Sequence, residues 1–144
     1  MKKTLCVALS FLIILCIVPC ALADYYDEGN DGFSEANAYI IDSVGDLVTL
    51  RNRVNAGEEP ENAYYKLNFA NKTVNLAEYT AWEPIGTGNS FKGHFDGNGH
   101  TVIMNITGRG GDTASLFGTI ETSEGYAVKN LTVDASGSYS INVR

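Results

Sequence analysis

The sequence predicts a mainly β fold, the start of a parallel β-helix or solenoid with one α-helix closing its N-terminal end. Three observations carry that reading. From residue 91 onward, short runs rich in β-branched and aromatic residues alternate with clusters of Gly, Asn, Asp and Ser, the rhythm of brief strands and tight turns. Two of the runs, HTVIMNIT at 100–107 and YAVKNLTV at 126–133, resemble one another and stand about 26 residues apart. Such a spacing suits coils that stack on their neighbours. Upstream of them lies a single stretch of helical periodicity. An antiparallel sandwich of short strands would share the rhythm and stands as the competing fold.

The first 23 residues read as a bacterial-type secretory signal peptide. Lys2 and Lys3 precede an apolar run at 5–18, and Pro19 ends that run before Ala21-Leu22-Ala23, which places cleavage after Ala23. The run falls short of the roughly 20 residues that a bilayer-spanning helix needs, so no membrane insertion is expected once the segment is removed. All three cysteines, Cys6, Cys16 and Cys20, lie inside it. The exported chain is therefore held together by burial and backbone pairing, without disulfides. Lipid attachment at a cysteine requires a small residue before it, but Pro19 precedes Cys20 and Leu15 precedes Cys16.

Cleavage leaves 121 of the 144 residues, the size of one domain. It removes two of the ten basic residues and none of the seventeen acidic ones, so eight against seventeen gives a formal charge of −9. That charge argues against nucleic acid and anionic membrane surfaces as partners. Seven of the carboxylates, Asp24, Asp27, Glu28, Asp31, Glu35, Asp42 and Asp46, gather near the new N-terminus.

Taken in order, residues 24–37 are polar, Gly-containing and aperiodic, an acidic lead-in or linker, and the folded domain is expected over 38–144. Residues 38–41 form a short apolar strand. Ser43 or Asp46 can then cap a helix at 44–55, with Leu47, Leu50 and Val54 on one face and Gly57 as its left-handed stop. An acidic loop at 58–62 leads to a strand at 64–69, and a turn-rich passage covers 77–89. Further strands are expected at 91–95, 100–107, 115–120, 127–133 and 139–143. Val102, Met104, Ile106, Leu116, Phe117, Val128, Leu131 and Val133 should point inward. The last strand has only Arg144 to blunt its edge, which invites self-association there.

Candidate chemistry is sparse. His94, Asp96 and His100 are zinc-ligand types, but Asp96-Gly97-Asn98-Gly99 reads as a turn that would send the two histidines to opposite sides. Neither Asp96 nor Asp27 opens an EF-hand loop, since the twelfth positions are Thr107 and Ala38, and a simpler turn-bound calcium stays open. Gly86-Thr87-Gly88 lacks the setting of a dinucleotide loop, and Gly-x-Ser-x-Gly and HExxH are absent. Asp96, Asp112, Glu121, Glu124 and Asp134 sit in or beside expected turns with no shared spacing, as solvated turn carboxylates do. Trp82, Phe91, Phe95, Tyr64 and Tyr65 could form a sugar-stacking platform, but the bulk that a small disulfide-free core demands assigns them to the interior.

The string Trp82-Glu83-Pro84-Ile85-Gly86, FKGHFDGNGHTV at 91–102, SLFG at 115–118 and VKNLTV at 128–133 resembles the GLUG-type repeats of bacterial secreted and cell-surface proteins. These include adhesin-like proteins and the N-terminal regions of some IgA-cleaving metalloproteases. The DLVTLRNRVNAG segment and YYKL are similar to the lead into that repeat region, so the likeness spans roughly 38–133. Ser115 replaces the first glycine of the usual G-L-F-G. The resemblance implies a right-handed parallel β-helix with a capping helix, and it carries over no catalytic residue.

The expected function is a non-enzymatic secreted or cell-surface module in adhesion or scaffolding, with no catalytic residue, metal or cofactor and with a surface glycan or protein as ligand. The alternative is a carbohydrate-active enzyme or sugar-binding accessory on the same scaffold.

Overall fold

The computed structural model describes residues 29–76, 79, 82–104, 115–122 and 124–134. The leader with its cysteines, Ile106, Asp112 and the strand expected at 139–143 lie outside them. The described elements are a 3-10 turn (Glu35–Asn37), β1 (Tyr39–Ile41), α1 (Val44–Ala56), β2 (Tyr64–Leu67), β3 (Thr73–Asn75), β4 (His94–Ile103) and β5 (Val128–Asp134).

The helix forms for the reasons its sequence gives. Ser43 accepts from the Asp46 N–H at 3.2 Å while the Asp46 carboxylate accepts from the Ser43 N–H at 3.0 Å, a reciprocal capping box. Gly57 ends it in the left-handed region at φ 74°. Leu47, Leu50 and Val54 are buried in the core beside Ile41, Leu67 and Ile85.

Every strand pairing among the described residues is parallel. β4 organises the sheet. One of its edges takes β2 along its first residues, Tyr64 opposite His94 through Lys66 opposite Asp96, and β3 along its last, Thr73 opposite Thr101 through Asn75 opposite Ile103. β5 lies along its other edge and β1 along the far side of β2. The side chains alternate as strand geometry requires. Tyr39, Tyr65, Phe95 and Val128 stand in register on the core side, whereas Lys66, Asp96 and Lys129 form a charged row on the outer side.

This architecture corrects the expected β-helix. The described residues form a small half-barrel of one parallel five-stranded sheet with one helix, and beyond it only two isolated parallel bridges, Ile85 with Phe117 and Phe91 with Ile120. Two local readings are corrected with it. Asp96-Gly97-Asn98-Gly99 does not reverse the chain: Asn98 (φ 49°) and Gly99 (φ 72°) take up a register shift inside a ten-residue strand that pairs with β5 on both sides of the shift. Also, the 26-residue spacing is not the pairing register. Val128 lies opposite Phe95, and Val133 opposite Val102. The helix packs its Leu47, Leu50 and Val54 into the core shared with this sheet.

Of the residues expected to point inward, Val102, Met104 and Leu116 are buried, and Phe117, Val128 and Leu131 pack half-buried against the core. Val133 faces outward, 45% exposed, on the strand at the sheet margin.

Candidate functional site

Burial of the residue types that could do chemistry is concentrated in β4. His94, Asp96 and His100 are the buried polar residues of the described chain. The structure shows what each is bonded to.

His100 lies between two backbone carbonyls, Gly97 O at 2.8 Å from Nδ1 and Phe69 O at 3.3 Å from Nε2. Carbonyl oxygens only accept and a neutral imidazole carries one N–H, so the ring donates to one of them, the nearer being Gly97 O, and sits wedged between the β4 bulge and the loop after β2. Asp96 Oδ1 accepts from the Asn98 N–H at 2.8 Å and from the Asn130 amide at 3.0 Å, and Lys129 Nζ stands 3.8 Å from Oδ2. Burial raises the Asp96 carboxyl pKa, but the Asn98 and Asn130 hydrogen bonds and the Lys129 and Lys66 charges outweigh it and hold the group below the usual carboxylate range. Its Oδ1 thus holds the bulge to Asn130, and its Oδ2 faces Lys129.

His94 differs. Its Nδ1 donates to Tyr126 O at 2.6 Å, its ring stacks on Tyr64 at 4.3 Å, and the Tyr126 ring meets it edge-on at 5.4 Å. The same ring lines an open cleft of about 660 Å³ with Tyr64, Tyr126, Phe33, Glu35, Asn62 and Glu124. Tyr64 and His94 reach this outer side because they pair in register across β2 and β4.

The lead-in builds one wall of the cleft. Tyr64 N–H donates to Gly32 O and Gly32 N–H to Asn37 O, each at 2.8 Å. Gly32 adopts φ 69°, and a Cβ there would sit 2.2 Å from the Tyr39 ring, so only glycine lets the segment lie this close. Glu35 pairs with Lys129, whose ammonium also lies 4.0 Å from the centroid of the Tyr126 ring. Burial is the chief cause that raises the Tyr126 hydroxyl pKa above its ordinary value. Phe33, held on this segment, is 78% exposed.

A second depression of about 380 Å³ lies by the end of α1. Its charges are largely spent internally: Arg53 Nε on Glu59 at 2.6 Å, the Tyr65 hydroxyl on the same carboxylate at 2.6 Å, and Lys92 on Glu61 at 2.5 Å.

The proposed platform residues divide. Tyr65, Phe91 and Phe95 are core, as expected. Trp82 is half-buried, donates to Leu116 O at 3.4 Å and carries the Arg51 guanidinium 4.9 Å from its ring centroid, with Tyr79 edge-on. Tyr64 alone of the five lines the cleft. Phe33 and Tyr126 were not singled out in the sequence, and the one signal for Phe33 is a large aromatic within an otherwise polar segment. Of the turn carboxylates among the described residues, Asp96, Glu121, Glu124 and Asp134, Glu121 and Glu124 are exposed, and Glu124 joins Glu35 in lining the cleft.

Among the described residues no three His, Cys, Asp or Glu side chains gather as a metal site would need, and no helix is long and apolar enough to cross a membrane. No family model, no curated protein and no solved structure matches the chain.

Proposed function

We propose that the chain is a secreted or cell-surface module that works by binding, in adhesion or as a scaffold, and not by catalysis. The observation that carries this reading is the use made of the buried polar residues. Asp96 and His100, types that an enzyme would aim at substrate, are bonded to the bulge of β4, to Asn130 and to the loop after β2. The leader pattern at 1–23 and the GLUG-like string support the extracytoplasmic setting.

The test is expression with the native leader, followed by N-terminal sequencing of the exported chain and reducing-end assays on a panel of polysaccharides. An exported protein beginning at Asp24 that releases no reducing ends is expected. Turnover that disappears in Glu124→Gln would reverse the ranking in favour of a carbohydrate-active enzyme.

A further inference from the structure

His94 is 95% buried, with one nitrogen committed. Because Tyr126 O can only accept, Nδ1 carries the proton in this short contact, and in the neutral ring that leaves Nε2 as a bare acceptor. No described residue bonds Nε2. Every fully buried side-chain nitrogen and oxygen among the described residues does have a partner, so Nε2 must reach open space, and the open space lined by this ring is the cleft.

Phe33, Glu124 and Glu35 line the same cleft. Phe33 stands at the rim with its ring mostly bare and without a ring partner among the described residues. Glu124 is exposed and has no hydrogen-bond or ion-pair partner among them, so it offers a second acceptor. Glu35, by contrast, is tied to Lys129. The cleft therefore presents an aromatic face beside hydrogen-bond acceptors, and among the described residues lining it the one charge without an ion-pair partner, Glu124, is negative. Its volume lies within the roughly 300–1,000 Å³ typical of small-ligand sites.

The geometry points to a subsite for a neutral saccharide, with the apolar C–H face of a pyranose ring laid on Phe33 and its hydroxyls donating to His94 Nε2 and Glu124. Hydroxyl donors match both acceptors. Uronate or sulfated sugars would set their anions against Glu124 and against an acidic chain of pI about 4.7. This inference rests on the proposed binding role and names the ligand class for it.

The test uses the exported chain on an array of gluco-, manno-, galacto- and chito-oligosaccharides with uronate and sulfated controls, followed by calorimetry on the strongest neutral hit. Binding is expected among the neutral sugars only. Phe33→Ala should weaken it about three- to tenfold at unchanged melting temperature, because an exposed ring contributes stacking but little to the core. Glu124→Gln should weaken it as well. Absence of any neutral binder at millimolar sugar, binding confined to the anionic controls, or a Phe33→Ala affinity equal to that of the native chain overturns the subsite. None of these results touches export or the lack of turnover, so the wider binding role is judged separately. Release of reducing ends from a bound neutral sugar would overturn that role while the ligand class stands.

Discussion

At the scale of the residue, the chain spends polar groups to hold irregular backbone. Asp96 is the clearest case, since one carboxylate oxygen satisfies both the Asn98 N–H and the Asn130 amide across two strands. Asp96→Ala would leave both donors without their acceptor and should cost about 1–3 kcal/mol, read from denaturant melts. The pH dependence has a definite sign. Because the folded carboxyl lies below its ordinary value, its contribution is complete above the unfolded pKa, near 4, and is lost as pH falls through the lower folded value. Melts of the native chain between about pH 5 and 2 should therefore show an acid loss that Asp96→Asn reduces. Gly97 answers a different constraint, since a Cβ there would stand 2.6 Å from both Asn130 O and the Leu131 Cβ. Gly97→Ala should destabilise by about 1–3 kcal/mol through overpacking between β4 and β5.

At the scale of the element, what could be read from the sequence was what local chemistry determines. Ser43, Asp46, the Leu47–Leu50–Val54 spacing and Gly57 specify α1, and β1, β2 and β5 begin within a residue or so of the apolar runs that suggest them. Ser43→Ala should lower stability by about 0.5–2 kcal/mol, a change that thermal melts resolve. Two features were not legible. β3 is three residues, Thr73–Asn75, with one buried side chain, too little pattern to separate from a loop. The Asp96–Gly99 segment carries a hairpin's residue types and the positive φ they favour, but whether such a segment reverses or merely bulges depends on the neighbouring strands, here β2, β3 and β5, which are far away in sequence. Asn55 makes the same point from the helix: its side chain donates to Pro84 O at 3.1 Å and accepts from Gly86 N–H at 2.8 Å and Thr87 N–H at 3.0 Å. Asn55→Ala should loosen the 84–89 loop, seen as faster amide exchange at Gly86 and Thr87 with α1 still protected.

At the scale of the whole molecule, a small parallel sheet supplies two faces with different tasks. The inner face buries Tyr39, Tyr65 and Phe95, while the outer face carries the Lys66–Asp96–Lys129 row and, two residues earlier along β2 and β4, the Tyr64–His94 pair that floors the cleft. The cleft needs β2, β4, the residues before β5 and the lead-in together, which is why no local motif announced it. Lys129 joins the two regions through Glu35 and Asp96. Lys129→Met should therefore loosen the lead-in and weaken saccharide binding without unfolding the sheet, a separation that calorimetry and melting curves can make. The central claim, that His94 offers its bare Nε2 to a ligand while His100 serves the fold, has a direct spectroscopic test. Long-range proton–nitrogen correlation on the two imidazoles at about pH 8, where an ordinary histidine is neutral, should show His94 as the Nδ1–H tautomer. Its Nε2 resonance should then move on saturation with a neutral oligosaccharide while His100 stays fixed. A His94 protonated on Nε2, or an Nε2 signal unmoved by a saccharide that demonstrably binds, would contradict it.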